Sequence, residues 1–253
     1  RILNTARHPL PLDPTGRVPA DIDVRLDARV LDLRRPAGQA TFRVFHQATH
    51  AIREFLVKEG FMEVHTPKII ATATEGGAAL FPIVYFDREA FLAQSPQLYK
   101  EQLTAAFEKV FEIAPYFRAE ESHTTRHISE FTSVDIEEAF STVDDATNLL
   151  ERMIAHVLRA VKERCREELA ILSHEIKIPN LPLKRYTYDE ILEELRRKEI
   201  VVAWGEDIPT LALRALGENH PEEFYFIVDW PTKSKAFYIC LLYTSPSPRD
   251  RQK

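Results

Sequence analysis

Arginine, glutamate, histidine and an aromatic residue gather around one loop of the chain. Tyr116-Phe117-Arg118-Ala119-Glu120 leads into a polar stretch, and Arg126-His127-Ile128-Ser129-Glu130-Phe131 leads out of it. Both flanks are rich in β formers, which predicts two strands joined by a loop. On a strand, Arg118 and Glu120 point to the same face. An arginine can grip a phosphate in a bidentate fork, and a nearby carboxylate can accept from an adenine amino group. Phe131, on the return strand, can stack on a base. The same residues also fit a surface hairpin carrying ion pairs. On chemistry alone both readings stay open.

Other chemistries have less support. The chain has no Walker P-loop and no dinucleotide-type GxGxxG, so a nucleotide would not be held by a glycine-rich loop at a helix N-terminus. No Ser-His-Asp or Cys-His set is evident. The two cysteines, Cys165 and Cys240, lack metal-site spacing and fit buried or inert thiols in a reducing compartment. His46, His50 and His65 read as structural. The net charge of −6 argues against a protein that simply coats nucleic acid, though it allows a local basic surface. No apolar run reaches the roughly 18 residues of a membrane span, and the N-terminus lacks a secretory layout. Neither a membrane nor DNA is expected as a partner.

Several elements must position the Arg118 loop. The 253 residues suffice for one large domain or two small ones. Residues 1–22 carry Pro9, Pro11, Pro14 and Pro19 and read as a linker. Asp23 to Arg35 alternates charge and reads as a salt-bridged surface segment. Residues 39–59 give the clearest helix, with Phe42, Phe45, Ala48, Ile52, Phe55 and Leu56 at three- and four-residue spacing and Gly60 as its left-handed cap. Phe61 to Pro67 alternates as a strand would. Residues 68–140 read as strands and turns, with a short helix from Leu98 to Phe107. A second long helix is predicted over 143–169. Thr187 with Glu190 predicts a capping box for a helix over 188–198. Residues 224–229 and 236–242 read as a final hairpin.

Phe-Arg-x-Glu, a loop, then His-x-x-x-Phe is similar to motif 2 of the class II aminoacyl-tRNA synthetases. The long helix, Gly60, the alternating segment and Pro67 resemble motif 1 of that class. Ala71-Thr72-Ala73-Thr74-Glu75-Gly76-Gly77 and Ala93-Gln94-Ser95-Pro96-Gln97-Leu98-Tyr99-Lys100 resemble its aspartyl enzymes of the archaeal and eukaryotic type. The resemblance runs from about Pro9 to Tyr238.

The resemblance implies a mixed α+β fold with an antiparallel active-site sheet flanked by helices, and a homodimer formed through motif 1. It implies a cytoplasmic aspartate–tRNA ligase. ATP and Mg2+ would activate L-aspartate to aspartyl-adenylate, and the aspartyl group would pass to tRNA(Asp), with tRNA(Asn) as a second candidate. Carried over by position, Arg118 would be catalytic, holding the α-phosphate and the substrate carboxylate. Glu120 would read adenine, Arg126 and His127 would face the outer phosphates, Ile128 would line the ATP site, and Phe131 would stack on adenine. Glu75 would hold the aspartate ammonium. Ser95 and Gln97 would line the amino-acid pocket, and Lys100 would pair with the aspartate side chain. Plainer readings exist: Glu75 capping a turn, Ser95 a turn residue beside Pro96, Lys100 a solvated helix residue. Asp135 and Glu137 share a strand face and could approach magnesium, but a solvated or hydrogen-bonded role is preferred. Lys100 favours aspartate over asparagine, because a buried ammonium beside a neutral amide lacks its counter-charge. Rival readings are an asparaginyl-tRNA synthetase and an ammonia-dependent asparagine synthetase of the same fold.

The resemblance also sets expectations about extent. Residues 1–22 would be the linker from an OB-fold anticodon-binding domain, 23–240 a partial catalytic domain, incomplete at its C-terminus, and 241–253 a non-native tail resembling translated adapter sequence. The family's magnesium ligands, a further arginine for the aspartate side chain and motif 3 find no match after Tyr238. No metal ligand is therefore assigned within the chain, which as it stands is expected to be inactive and to expose a sheet edge.

Overall fold

The computed structural model of the chain describes residues 4–5, 9–72, 80–119, 128–221 and 223–234. Two short helices come first, α1 (Ile22–Asp27) and α2 (Arg29–Asp32), and then the long α3 (Pro36–Lys58). Next are β1 (Met62–Glu63), β2 (Ile69–Ile70) and the hairpin of β3 (Pro82–Tyr85) with β4 (Arg88–Leu92). Helix α4 (Gln97–Phe107) leads to the long strands β5 (Lys109–Phe117) and β6 (Glu130–Glu138). The remaining elements are α5 (Val143–Arg164), α6 (Arg166–Ile171), β7 (Lys184–Thr187), α7 (Tyr188–Arg197), α8 (Thr210–Asn219) and β8 (Tyr225–Val228). The fold is mixed α+β. The chain divides into two compact units, Arg1–Phe55 with Met153–Ile178, and Leu56–Arg152 with Pro179–Lys253.

In the first unit, the charged segment after Asp23 folds as α1 and α2 around one carboxylate. Asp32 is buried and accepts from Arg25 Nε at 2.8 Å and Arg29 Nη1 at 2.6 Å, with Arg35 Nη1 at 3.6 Å. Arg35 also donates to the Val18 carbonyl. These bonds hold the Asp32 carboxyl below its usual range, the Arg25 bond first. Pro36 opens α3, where its missing N–H costs nothing. Val44 and Ala48 of α3 and Val157 and Ile176 pack against the buried Val161, Cys165 and Leu169. The long helix expected over 143–169 is interrupted: Cys165 leaves helical geometry with φ −117° and ψ 36°, and α6 resumes at Arg166. Cys165 stays in the apolar cluster across the break, as expected of an inert thiol, and burial pushes its pKa up. Cys240 lies outside the described residues.

In the second unit, Gly60 ends α3 as the sequence predicts. Its φ is +88°, its N–H bonds the Val57 carbonyl, and the Phe61 N–H bonds Leu56, a Schellman closure. The strand expected from Phe61 to Pro67 is shorter. Only Met62–Glu63 pairs, in parallel, with β5. The Val64 N–H still reaches the Phe111 carbonyl, but the Thr66 N–H turns to the Glu112 side chain at 2.7 Å. A side chain has taken over a ladder bond there, so the strand ends.

One sheet has the order β1-β5-β6, a second β2-β4-β3, and a third pairs β7 with β8. β5 and β6 run antiparallel over nine residues each, from Lys109↔Glu138 to Phe117↔Glu130. The Arg118 N–H bonds the Ser129 carbonyl, carrying that register one step past the strands. The predicted final hairpin is corrected in part. Its first segment forms β8, but β8 pairs in parallel with β7, and 236–242 lies outside the described residues. The capping box forms as read: Thr187 Oγ1 accepts from the Glu190 N–H and the Glu190 carboxylate accepts from the Thr187 N–H. Behind it, Tyr188, Ile191, Leu192 and Leu195 of α7 meet Val202, Ile208, Ala212 and Leu216 in a buried core. Each large apolar side chain buried there contributes roughly 1.5–3 kcal/mol.

Candidate active site

The β5–β6 register decides which side chains can meet. Glu112 faces Asp135 across the ladder, Ala114 faces Ser133, and Tyr116 faces Phe131. Alternation puts Glu112, Tyr116 and Arg118 on one face of the sheet, with Phe131, Asp135 and Glu137 beside them. Ile70, Ala93, Ala114 and Tyr116 form a buried cluster under this face, and Phe91, Tyr99 and Phe131 pack against it.

Helix α4 brings Lys100 to the face. Its ammonium lies 3.5 Å from Asp135 Oδ1 and 3.3 Å from Glu137 Oε2. Only 12 % of the Lys100 side chain is exposed, so the solvated reading does not hold. At the head of α4, Ser95 is buried and its hydroxyl accepts from the Gln97 N–H at 3.3 Å. The Gln97 side-chain amide donates along the helix to Glu101 at 2.7 Å. The Arg118 guanidinium stands 5.2 Å from the Phe131 ring centroid, within cation–π range. Ile128 is exposed. Lys100, Arg118 and Phe131 therefore share one sheet face, with Ser95 and Gln97 at the start of the helix that carries Lys100. Glu75, Glu120, Arg126 and His127 lie outside the described residues.

Two features of the face were not read from the sequence. One is the double pairing of Lys100 with Asp135 and Glu137. The other is a closed network around Glu112, which is 2 % exposed. Its carboxylate accepts from the Thr66 N–H at 2.7 Å, Thr66 Oγ1 at 2.8 Å, Lys68 Nζ at 2.8 Å and the Tyr116 hydroxyl at 2.5 Å. Burial alone would raise the Glu112 carboxyl. The donors from Lys68, Tyr116 and Thr66 outweigh it and hold the group below its usual range. Burial and the Glu112 contact push the Tyr116 phenol up. The period-2 spacing of Glu112, Tyr116 and Arg118 was a usable signal: a carboxylate two steps back on an active face has to find donors.

The arrangement suits a reaction that needs placement and charge rather than a side-chain nucleophile. A guanidinium beside an aromatic ring can meet a phosphate and a base, and a partly buried ammonium can meet an anion. Among the described residues no group of three or more His, Cys, Asp or Glu side chains converges as a metal site. No helix of the described residues is long and apolar enough to cross a membrane.

Comparison with known proteins gives the same direction. The profile of the family described as tRNA synthetases class II (D, K and N) matches residues 21–246. The chain is 55% identical over 238 residues to an aspartate–tRNA(Asp/Asn) ligase of Archaeoglobus fulgidus, covering 94% of this chain and 55% of that protein. It is 50% identical over 244 residues to an aspartate–tRNA(Asp) ligase of Pyrococcus abyssi, covering 94% and 56%. The chain thus spans about half the length of the curated relatives it matches. Among solved structures, asparaginyl-tRNA synthetase of Pyrococcus horikoshii, complexed with asparaginyl-adenylate, superposes with a TM-score of 0.81 at 33% identity, covering 91% of this chain and 52% of that one. Aspartyl-tRNA synthetase of Entamoeba histolytica superposes with a TM-score of 0.76 at 30% identity, covering 94% and 52%. With the family profile matched over most of its length, the chain belongs to the class II tRNA synthetases of the D, K and N group.

Proposed function

We propose that this chain supplies the amino-acid pocket and the motif 2 half of the ATP site of an aspartate–tRNA ligase, with 23–240 as its catalytic region. The observation that carries the reading is Lys100, held 3.3–3.5 Å from two carboxylates on the face that also bears Arg118 and Phe131. Aspartate's α-carboxylate would attack the α-phosphate of ATP, and pyrophosphate would leave. Arg118 stabilises the charge that builds on the phosphate, and Phe131 offers a ring for adenine. Glu75, Glu120, Arg126, His127 and Ile128 belong to the same reading by position, as do Ser95 and Gln97.

Selectivity follows from charge. An aspartate side chain gains from Lys100 both a hydrogen bond and the attraction of opposite net charges, where an asparagine amide oxygen gains only the hydrogen bond to the ammonium. Lys100 sits among two carboxylates, however, so the local balance is one cation to two anions. A carboxylate ligand needs a further cation there, the role that the resemblance gives to a further arginine for which no match follows Tyr238. Magnesium would screen the phosphates when bound. Asp135 and Glu137 are engaged with Lys100 and do not alone make its site, so no step is assigned to it.

The same reading takes tRNA(Asp), and tRNA(Asn) as a second candidate, as acceptor, with the cytoplasm as its place of work. It pairs two copies through motif 1, where Phe42 and Phe45 are half exposed on α3. The test is ATP–pyrophosphate exchange by a protein of the relatives' full length that carries this region. Exchange driven by aspartate and not by asparagine is expected. Exchange driven by asparagine alone would replace the proposal with the asparaginyl reading.

A further inference from the structure

The geometry points to Lys68 as a positioning residue that sets the amino-acid pocket against the strand bearing Arg118, acting with Glu112 and Tyr116; the inference rests on the function proposed above. Lys68 lies between β1 and β2 and bonds in two directions. Its side chain is fixed to β5: Nζ donates to Glu112 Oε1 at 2.8 Å and to the Tyr116 hydroxyl at 3.0 Å, and lies 4.6 Å from the Tyr116 ring centroid. Its backbone carbonyl accepts from the Ala93 N–H at 2.9 Å, and the Ala93 carbonyl accepts from the Phe117 N–H at 2.9 Å. Ala93 leads directly into Gln94, Ser95 and α4, which carries Lys100. Phe117 directly precedes Arg118. One residue thus links the segment of the amino-acid pocket to the strand of the phosphate-binding arginine.

The network has no donor left for a substrate. The ammonium has three N–H groups, and four acceptors lie within 3.0 Å of it: the Thr66 carbonyl, Thr66 Oγ1, Glu112 and the Tyr116 hydroxyl. The Glu112 carboxylate already takes four donors, and the Tyr116 hydroxyl both gives to Glu112 and receives from Lys68. Lys68 therefore acts through the segments it holds. The reaction needs the α-carboxylate of the amino acid in line with the α-phosphate, and each reactant sits on a different segment. A displacement of about 1 Å between them is enough to cost on the order of a hundredfold in rate.

The test is Lys68→Met and Tyr116→Phe in a protein of the relatives' full length that carries this region, read by ATP–pyrophosphate exchange. Lys68→Met is expected to raise the aspartate KM and lower kcat, each about tenfold, with the ATP KM within about twofold, because the Arg118–Phe131 ladder is untouched. Tyr116→Phe keeps the Lys68–Glu112 pair and is expected to shift the aspartate KM by about threefold in the same direction. A purely structural role predicts lower melting temperatures with no difference between the two KM values, and that result overturns the inference. If Lys68→Met does not fold, Tyr116→Phe decides, and an unchanged aspartate KM there overturns it. Exchange with neither amino acid by the unmodified protein would instead remove the functional reading, and this inference with it.

Discussion

His220 gives the sharpest expectation about pH. It follows α8 and its ring is 14 % exposed. Nε2 lies 3.0 Å from Glu194 Oε2 on α7, and Nδ1 lies 2.9 Å from Glu223 Oε2 ahead of β8. Tyr186 of β7 and Tyr225 of β8 flank the ring at 5.1 and 5.0 Å. Lys184 pairs with Glu223, and Asn219 donates to Glu194. A neutral imidazole has one N–H and can serve only one of the two carboxylates; the imidazolium serves both. The bond to Glu194 and, after opposition from burial, the bond to Glu223 accordingly raise the His220 pKa above its ordinary 6.5. Stability from the second bond is fully present below pH 6.5 and is lost as pH rises through the folded-state value. Glutamine at this position mimics the neutral ring in carrying no charge, and its two N–H donors share one nitrogen instead of facing the two carboxylates from opposite sides of a ring. His220→Gln removes one charge-assisted bond at pH 6, about 1.5–2 kcal/mol, the lower part of the range because both carboxylates are about a quarter exposed. As pH rises through the folded-state value the unmodified protein loses that bond as well, and the difference should shrink. The carboxylates titrate lower, each held below its usual 4.5, so pH 6 to 9 isolates the histidine. The assay is guanidinium unfolding followed by tryptophan fluorescence. Both tryptophans, Trp204 and Trp230, report on this region: Trp204 donates to Asp189 of α7 and the Trp230 ring lies 5.1 Å from that of Tyr188. A difference that stays constant or grows from pH 6 to 9 would refute the clamp.

Four further expectations follow from other contacts. Glu112→Gln leaves the Lys68 ammonium without its carboxylate and should cost about 2–4 kcal/mol at neutral pH, read by the same unfolding assay; the depressed Glu112 pKa means the loss narrows as pH falls below about 4.5. Lys100→Met should lower aspartate-dependent kcat/KM by roughly ten- to a hundredfold in pyrophosphate exchange, and equal loss with asparagine as substrate would contradict a charge-reading role. If two copies pair through motif 1 as proposed, Phe45→Glu should shift the full-length protein from dimer to monomer in sedimentation; an unchanged profile means motif 1 does not pair two copies through that residue. Gly60→Ala meets no atom within 4 Å yet must hold φ +88°, so a loss of about 1–2 kcal/mol in thermal unfolding should come from backbone strain alone.

Legibility followed the range of the forces. Gly60, the Thr187–Glu190 capping box and the apolar spacing of α3 act within a turn or two of chain, and each was readable in advance. The strand after Gly60 was read too long because its Thr66 N–H is claimed by a side chain 46 residues away. The break at Cys165 keeps an apolar cluster closed and leaves no local breaker to notice. The segment of β8 was readable as a strand, but β7 and its parallel pairing with β8 are long-range choices, and α8 begins without a side-chain cap, so neither β7 nor α8 announced itself. At the site, Lys100, Arg118 and Phe131 were legible as residue types. The partners of Lys100 depend on the β5–β6 register, which single-sequence spacing does not specify.

The Asp32 cluster has consequences for mutational tolerance. Three guanidiniums converge on one carboxylate, so redundancy exists on the basic side alone. Loss of any single arginine leaves two to neutralise Asp32. Loss of Asp32 turns three cooperating contacts into three like charges crowded together, and loosens α1, α2 and the turn into α3 at once. The junction is a hub with expendable spokes. Substitutions at Arg25 and Arg29 should be individually forgiven and one at Arg35 less so, since it also gives up the bond to Val18, while a neutral residue at position 32 unpairs all three arginines.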